Sequence, residues 1–304
     1  MNSKIKAAVV FKDNLQNFFF VLPAFVIFCV FYIYPFLNMI FLSFHEWRGI
    51  GPMHFIGLQN YRELIGDNFW WDSMVHAGYI TLIALIFQNA LAFALALACD
   101  RQIRMKRFYC IVFFIPPVLS EVVVGLIWNW ILNPELQNGV HIGLLNYLLY
   151  TSGWPQLVHN WLGDPKTALT TIAIVHSWKG FGWGFVMLLA GLQTIDKQLY
   201  EAARVDGAGP WKTFVHITLP LMLPVVLVVM ILTILGSMQV FVLILSMVNE
   251  GLVHHTDVPV IRILSSMTGT NRFGYACAEA VIFGIILVCV SFITKKLSDR
   301  AKQV

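Results

Sequence analysis

LQTIDKQLYEAARVDGAGPWKTFVHITLP, running from Leu192 to Pro220, is a polar island between two long apolar runs. Gln198 to Val205 are good helix formers, Asp206-Gly207 supplies a turn, and Pro210 suits the first position of a second helix, where a missing N–H costs nothing. In that second helix Trp211, Phe214, Val215 and Thr218 fall at i, i+3, i+4 and i+7, which predicts one packing face, and Pro220 marks the start of the next apolar run. Ala202 and Ala203 remove bulk, so another surface can approach closely, while Glu201 offers a carboxylate to an arginine fork. In form this is a docking loop.

The runs on either side set the class of the protein. The 304 residues are 58% hydrophobic and 12% charged, with a mean hydropathy of +0.73, a balance that excludes a water-soluble or disordered chain. A bilayer core about 30 Å thick takes roughly 20 apolar residues per helix. Six windows meet that demand: Phe18 to Ser43, Tyr79 to Cys99, Tyr109 to Leu132, Leu169 to Leu192, Leu221 to Val248, and Tyr275 to Thr294. Of 20 basic and 16 acidic side chains only Glu121, Lys179 and Glu279 fall inside them. The expectation is one all-α, polytopic membrane domain over residues 1–304, with six transmembrane helices and the loop 193–220 within it. The first window is too long for a signal segment and lacks a small-residue cleavage site, so it is expected to be retained.

Orientation follows from the basic residues between windows. The N-terminus (Lys4, Lys6, Lys12), the second loop (Arg101, Arg104, Lys106, Arg107), the fourth loop and the C-terminus hold 14, against 5 in the first, third and fifth loops. The positive-inside bias puts both termini, including Met1 and Lys302, and the 193–220 loop in the cytoplasm. The outer loops carry Gly, Pro, Asn and Trp, which favours turns and short interfacial helices over a separate domain. The five cysteines (Cys29, Cys99, Cys110, Cys277, Cys289) sit in or beside apolar runs with no paired spacing, so they read as inert.

Glu201-Ala202-Ala203, three residues, Gly207, nine residues, Ile217, one residue, Leu219-Pro220 resembles the EAA signature of permease subunits in binding-protein-dependent ABC importers. Leu199-Tyr200, Asp206-Gly207-Ala208 and Phe214 are similar to the carbohydrate-importer branch. Tyr34-Pro35, Ser43-Phe44 and Phe55-Ile56-Gly57-Leu58-Gln59-Asn60-Tyr61 resemble the opening of that branch's MalF-like subunit. The resemblance implies a type I ABC importer permease fold in the cell inner membrane, moving a sugar or sugar-like solute delivered by an external solute-binding protein. It also implies a second permease subunit, a different chain or a second copy of this one, and an ATPase dimer as partners, the first span clasping the other permease while the later five build the pathway. Glu201, Ala202, Ala203, Asp206, Gly207, Trp211 and Phe214 would then face the ATPase, Glu201 meeting a basic residue and Gly207 making the bend.

No chemistry of the chain's own is expected. The nearest fragment to a phosphate loop is Gly207 to Thr213, where Lys212-Thr213 follows Trp211 instead of Gly. There is no H-E-x-x-H, G-x-S-x-G or Cys-x-x-Cys, and adjacent His254-His255 read as ordinary loop histidines. The chain is therefore expected not to be an enzyme, to hold no cofactor or metal, and to rely on ATP and Mg bound by separate ATPase subunits.

A pathway is sought in the fourth window, where His176, Lys179, Gly180 and Trp183 recur at helical spacing and Lys179 lies near mid-depth. In maltose-type relatives the sugar lies between the helices flanking the EAA loop, and that resemblance extends to His176, Gly180 and Trp183 before the loop and to Thr233, Ser237 and Val240 after it. Lys179 and Gly236 depart from the usual sugar contacts. Glu121 either pairs with Lys179 or faces a subunit interface, and Glu279, nearer the outer end, is expected to reach water. The rival class is a self-sufficient secondary transporter driven by an ion gradient through Glu121 and Lys179.

Overall fold

A computed structural model describes residues 18–101, 104–137, 140–248 and 253–301. Met1, Lys4, Lys6, Lys12, Lys302 and the side chain of His254 lie outside the described residues. In chain order come α1 (Phe18–Leu42), the hairpin β1 (His45–Glu46) and β2 (His54–Phe55), α2 (Gln59–Ile65), α3 (Asn68–Asp100), α4 (Lys106–Val118) and α5 (Glu121–Ile131). A second hairpin, β3 (Leu136–Gln137) and β4 (Val140–His141), precedes α6 (Leu144–Thr151), α7 (Ala168–Gln193), α8 (Lys197–Val205) and α9 (Pro210–Met238). The chain ends with α10 (Val242–Met247), α11 (Val253–Thr256), α12 (Pro259–Thr268) and α13 (Phe273–Ala301).

Contacts divide the chain into two compact units, Met1–Gly66 with Ile263–Ile282, and Asp67–Arg262 with Phe283–Val304. The first explains the Ser43-Phe44 and Phe55 to Tyr61 pattern. Asn60 Nδ2 donates to the carbonyls of Ser43 (2.8 Å) and His45 (3.1 Å), satisfying groups left open where α1 ends. Tyr61 shares a 2.6 Å hydrogen bond with Ser43 Oγ, and Ile56 N–H donates to Phe44 O at 3.0 Å. Arg272 forks onto Glu63 with two 2.6 Å bonds and lies 4.4 Å over the Tyr275 ring. Glu279 is fully buried instead of reaching water, within electrostatic reach of Arg272.

In the second unit α3, α7 and α9 pack around two apolar clusters. One joins Ala77 and Ile80 of α3, Ile172 and Val175 of α7, and Val240, Leu243 and Met247 around α10. The other joins Ala92 and Ala96 of α3, Phe185 and Leu188 of α7, and Met222 and Val229 of α9. Small residues allow this closeness. A Cβ on Gly184 would stand 3.1 Å from Val229 and 3.3 Å from Ala92, and one on Gly182 would stand 2.6 Å from the carbonyl of Phe113, which Pro117 leaves without its helical N–H donor.

Helices run through or break where hydropathy is blind. α3 begins at Asn68, well before the apolar window, because Asp67 caps it by accepting from Trp70 N–H at 3.2 Å. The third window is two helices, α4 and α5, bent by 97°. Pro116 and Pro117 end the first, and Ser120 caps the second by accepting from Val123 N–H at 3.3 Å, so the expected single helix is broken. The fifth window also divides, α9 ending at Met238 and Phe241 leaving helical geometry (φ −152°) before α10. Conversely, Pro210 starts α9, which runs on through the π turn Phe214–Thr218, so the second short helix of the 193–220 loop is the first turns of a span.

Candidate functional site

The loop is built by local chemistry. Asp196 caps α8, its carboxylate accepting from Gln198 N–H at 2.9 Å. At the other end Ala208 N–H donates to Ala203 O (2.9 Å) and Gly207 N–H to Arg204 O (3.1 Å), the two bonds of a Schellman motif, with Gly207 at φ +72°. A Cβ on Gly207 would meet nothing within 4 Å, so backbone geometry and not crowding favours glycine there.

Ala203 is the buried side of α8, and Tyr200 shares a 3.1 Å hydrogen bond with Thr218 at the base of α9. Phe214 lies between Trp211 (ring centroids 5.8 Å apart) and Phe93 of α3 (5.9 Å), tying the loop to a third helix. On the other side Glu201, Ala202 and Asp206 are exposed. So are Leu199, Val205 and Trp211, Val205 to 88%. Among the described residues no basic group stands within ion-pair distance of Glu201. Three apolar side chains and a carboxylate are thus exposed on a segment that joins α7 to α9.

Between the two apolar clusters lies a polar seam. His176 Nε2 of α7 and Ser237 Oγ of α9 share a 3.0 Å hydrogen bond. Gln88 Nε2 of α3 donates to Thr233 Oγ1 of α9 at 3.3 Å, and Thr233 Oγ1 stands 3.0 Å from Asn89 Oδ1 and 2.9 Å from Val229 O as a donor. Gly180 faces Gln88, since a Cβ there would stand 2.5 Å from Gln88 Oε1. His176, Gly180, Thr233 and Ser237 therefore converge, as their spacing on two helices suggests.

The other three pathway candidates lie apart from the seam. Lys179 Nζ stands 3.8 Å from Glu121 Oε1 at the start of α5. Trp183 is 59% exposed, its ring edge-on to Phe114 of α4 at 5.3 Å. Val240 lies past the end of α9, buried in an apolar cluster. Gln88 and Asn89 escaped sequence reasoning; the available signal was two adjacent carboxamides inside an otherwise apolar window. No group of three or more metal-ligating side chains occurs among the described residues.

Residues 90–303 match the family described as "Binding-protein-dependent transport system inner membrane component". The chain is 31% identical over 295 residues to the probable ABC transporter permease protein YurN of Bacillus subtilis (strain 168), covering 96% of this chain and 99% of that protein. It is 26% identical over 298 residues to the probable starch degradation products transport system permease protein AmyD of Thermoanaerobacterium thermosulfurigenes, covering 97% and 98%. In fold it is similar to a chain of a bacterial alginate ABC transporter solved in complex with alginate pentasaccharide-bound periplasmic protein. That likeness has a TM-score of 0.81 at 20% identity and covers 96% of this chain and 97% of that one.

Proposed function

Because the chain belongs to the family of binding-protein-dependent transport system inner membrane components, and is thus a permease subunit of an ABC importer, we propose that its cargo is a sugar or sugar-like solute handed over by an external solute-binding protein. Support for the sugar class comes from AmyD and from the seam, where hydroxyl, imidazole and carboxamide groups stand between helices at a depth otherwise apolar. The ion-coupled carrier that Glu121 and Lys179 alone would allow loses its footing to the family membership.

The energy comes from a separate ATPase dimer that holds ATP and Mg, and α8 is its docking element. The observation that carries this is the exposed Leu199, Val205 and Trp211 around Glu201, on a loop that joins the two helices lining the seam. A second permease subunit completes the pathway, and the apolar surface of α1, whose spanning window is 0% buried in this chain, is suited to clasp it. In liposomes containing the whole assembly, sugar uptake should require ATP inside and cease when the ATPase subunits are omitted. Uptake by the permease alone under a proton or sodium gradient would refute this reading.

Both termini and the loop face the cytoplasm, a reading supported by the 14 to 5 division of basic residues. With the five native cysteines replaced, Arg104→Cys and Glu201→Cys should react with an impermeant maleimide only after the cells are opened. Labelling of either in intact cells would reverse the orientation.

A further inference from the structure

Gln88 is 7% exposed and breaks a stripe of buried alanines, Ala77, Ala84, Ala92 and Ala96, along the face that α3 turns to α7 and α9. Consecutive residues of a regular helix diverge by about 100° and do not serve one partner. Here the π turn Ala84–Gln88 ends at this point, and Gln88 and Asn89 both reach the hydroxyl of Thr233. Thr233 Oγ1 accepts from Gln88 Nε2 and donates toward Asn89 Oδ1, sharing its one proton with Val229 O. Holding Gln88 by its nitrogen leaves Oε1 over, and holding Asn89 by its oxygen leaves Nδ2 over; both atoms are buried and have no hydrogen-bond partner among the described residues. Reversing both amides exchanges the roles and still leaves one acceptor and one donor.

A buried polar atom left without a partner at this depth is costly, so Gln88 Oε1, an acceptor, and Asn89 Nδ2, a donor, call for an occupant with both an O–H and a lone pair. Resting on the sugar reading above, we propose that Gln88 and Asn89 form a hydroxyl-reading subsite. Gln88 Oε1 accepts the O–H of a sugar hydroxyl, and Asn89 Nδ2 donates to that oxygen or its neighbour. Gly180 keeps the side of Gln88 Oε1 clear, and Thr233 is the positioning residue. α7 and α9, which the docking loop connects, bound the subsite on either side, so movement of that loop opens it to the cargo.

The test uses the whole transporter in liposomes, with ATP-driven uptake measured for maltose, maltotriose, trehalose and cellobiose, then for each monodeoxy derivative of the sugar carried best. Wild type should penalise one derivative, or two with adjacent positions, by roughly tenfold or more, the loss expected when a buried polar site meets a missing hydroxyl. Gln88→Met and Asn89→Leu should carry the parent sugar about as poorly as wild type carries that derivative, and should no longer distinguish the two. The double variant Gln88→Met/Asn89→Leu, in which Thr233 Oγ1 still donates to Val229 O, should assemble in normal yield and be equally blind. Retention of the wild-type deoxy penalties in all three variants, with uptake reduced uniformly or unchanged, would overturn the subsite and leave the amides as packing groups. A wild-type assembly that carries none of the four sugars would overturn the sugar reading itself, and the subsite with it.

Discussion

Glu201→Lys is expected to leave the subunit inserted in the membrane while abolishing ATP-driven uptake and ATPase co-purification. The carboxylate is exposed and has no cation within ion-pair distance among the described residues, so reversing its charge breaks no ion pair there. It would instead face a basic residue on the ATPase, and disrupting a hydrogen-bonded charge pair buried at an interface costs about 2–5 kcal/mol, a loss of roughly 30-fold or more in affinity. Gly207 should show the backbone half of the same device. Gly207→Val places a β-branched residue at φ +72°, where it is strained, and should unwind the Schellman turn that aims α8. Gly207→Asn tolerates that conformation and meets open space, so it should keep most activity. Co-purification and uptake decide the matter: normal values for both Glu201→Lys and Gly207→Val would end the docking role, and equal damage from Asn and Val would show that the bare surface matters and not the bend.

The parts of this arrangement that were legible in the sequence are those built by neighbours in the chain. The helix before Asp206-Gly207, its bend, and the start at Pro210 follow from capping and φ preferences that act within a few residues. The spans at 18, 168 and 273 follow from uninterrupted apolar length. The 97° break after Val118 and the end of α9 at Met238 did not, because a hydropathy window scores apolar residues alike whether or not their backbone stays helical. Pro116 and Pro117 end the old helix and Ser120 caps a new one, and α5 then packs against α10, where Gly125 admits Ser246. The seam shows the same limit. His176 and Ser237 were legible as faces of their own helices, but Gln88 acquires meaning only from Thr233, 145 positions away. Trp183 shares the spacing of His176 and yet meets Phe114, since α4 covers one part of that face and not another.

Glu121→Gln should damage assembly more than Lys179→Met, although the two changes break the same 3.8 Å pair. The ammonium is the more dependent partner. Lys179 has a side chain 16% exposed on a helix crossing the bilayer, and among the described residues Glu121 is the one acid within ion-pair distance. Left alone near mid-depth, a lysine costs on the order of 2.5–3.5 kcal/mol, less whatever water reaches it. Glu121 has other support: it occupies the first turn of α5, where the helix N-terminus favours a carboxylate by about 0.3–1 kcal/mol. Removing the lysine therefore strands little, and removing the carboxylate strands much. The yield of monodisperse transporter should fall roughly tenfold or more for Glu121→Gln and less than threefold for Lys179→Met, since a decade is about 1.4 kcal/mol. Lys179→Met/Glu121→Gln should recover most of the yield, because apolar and neutral groups replace both charges together. Uptake per assembled transporter separates this structural role from a role on the cargo. If the pair only holds α5 to α7, the double variant transports normally. If Lys179 serves the pathway, Lys179→Met assembles well and transports at least tenfold slower, the double variant does no better, and the preference among sugars shifts. Equal losses of yield for the two single variants would show that the N-terminus of α5 gives Glu121 no independent support.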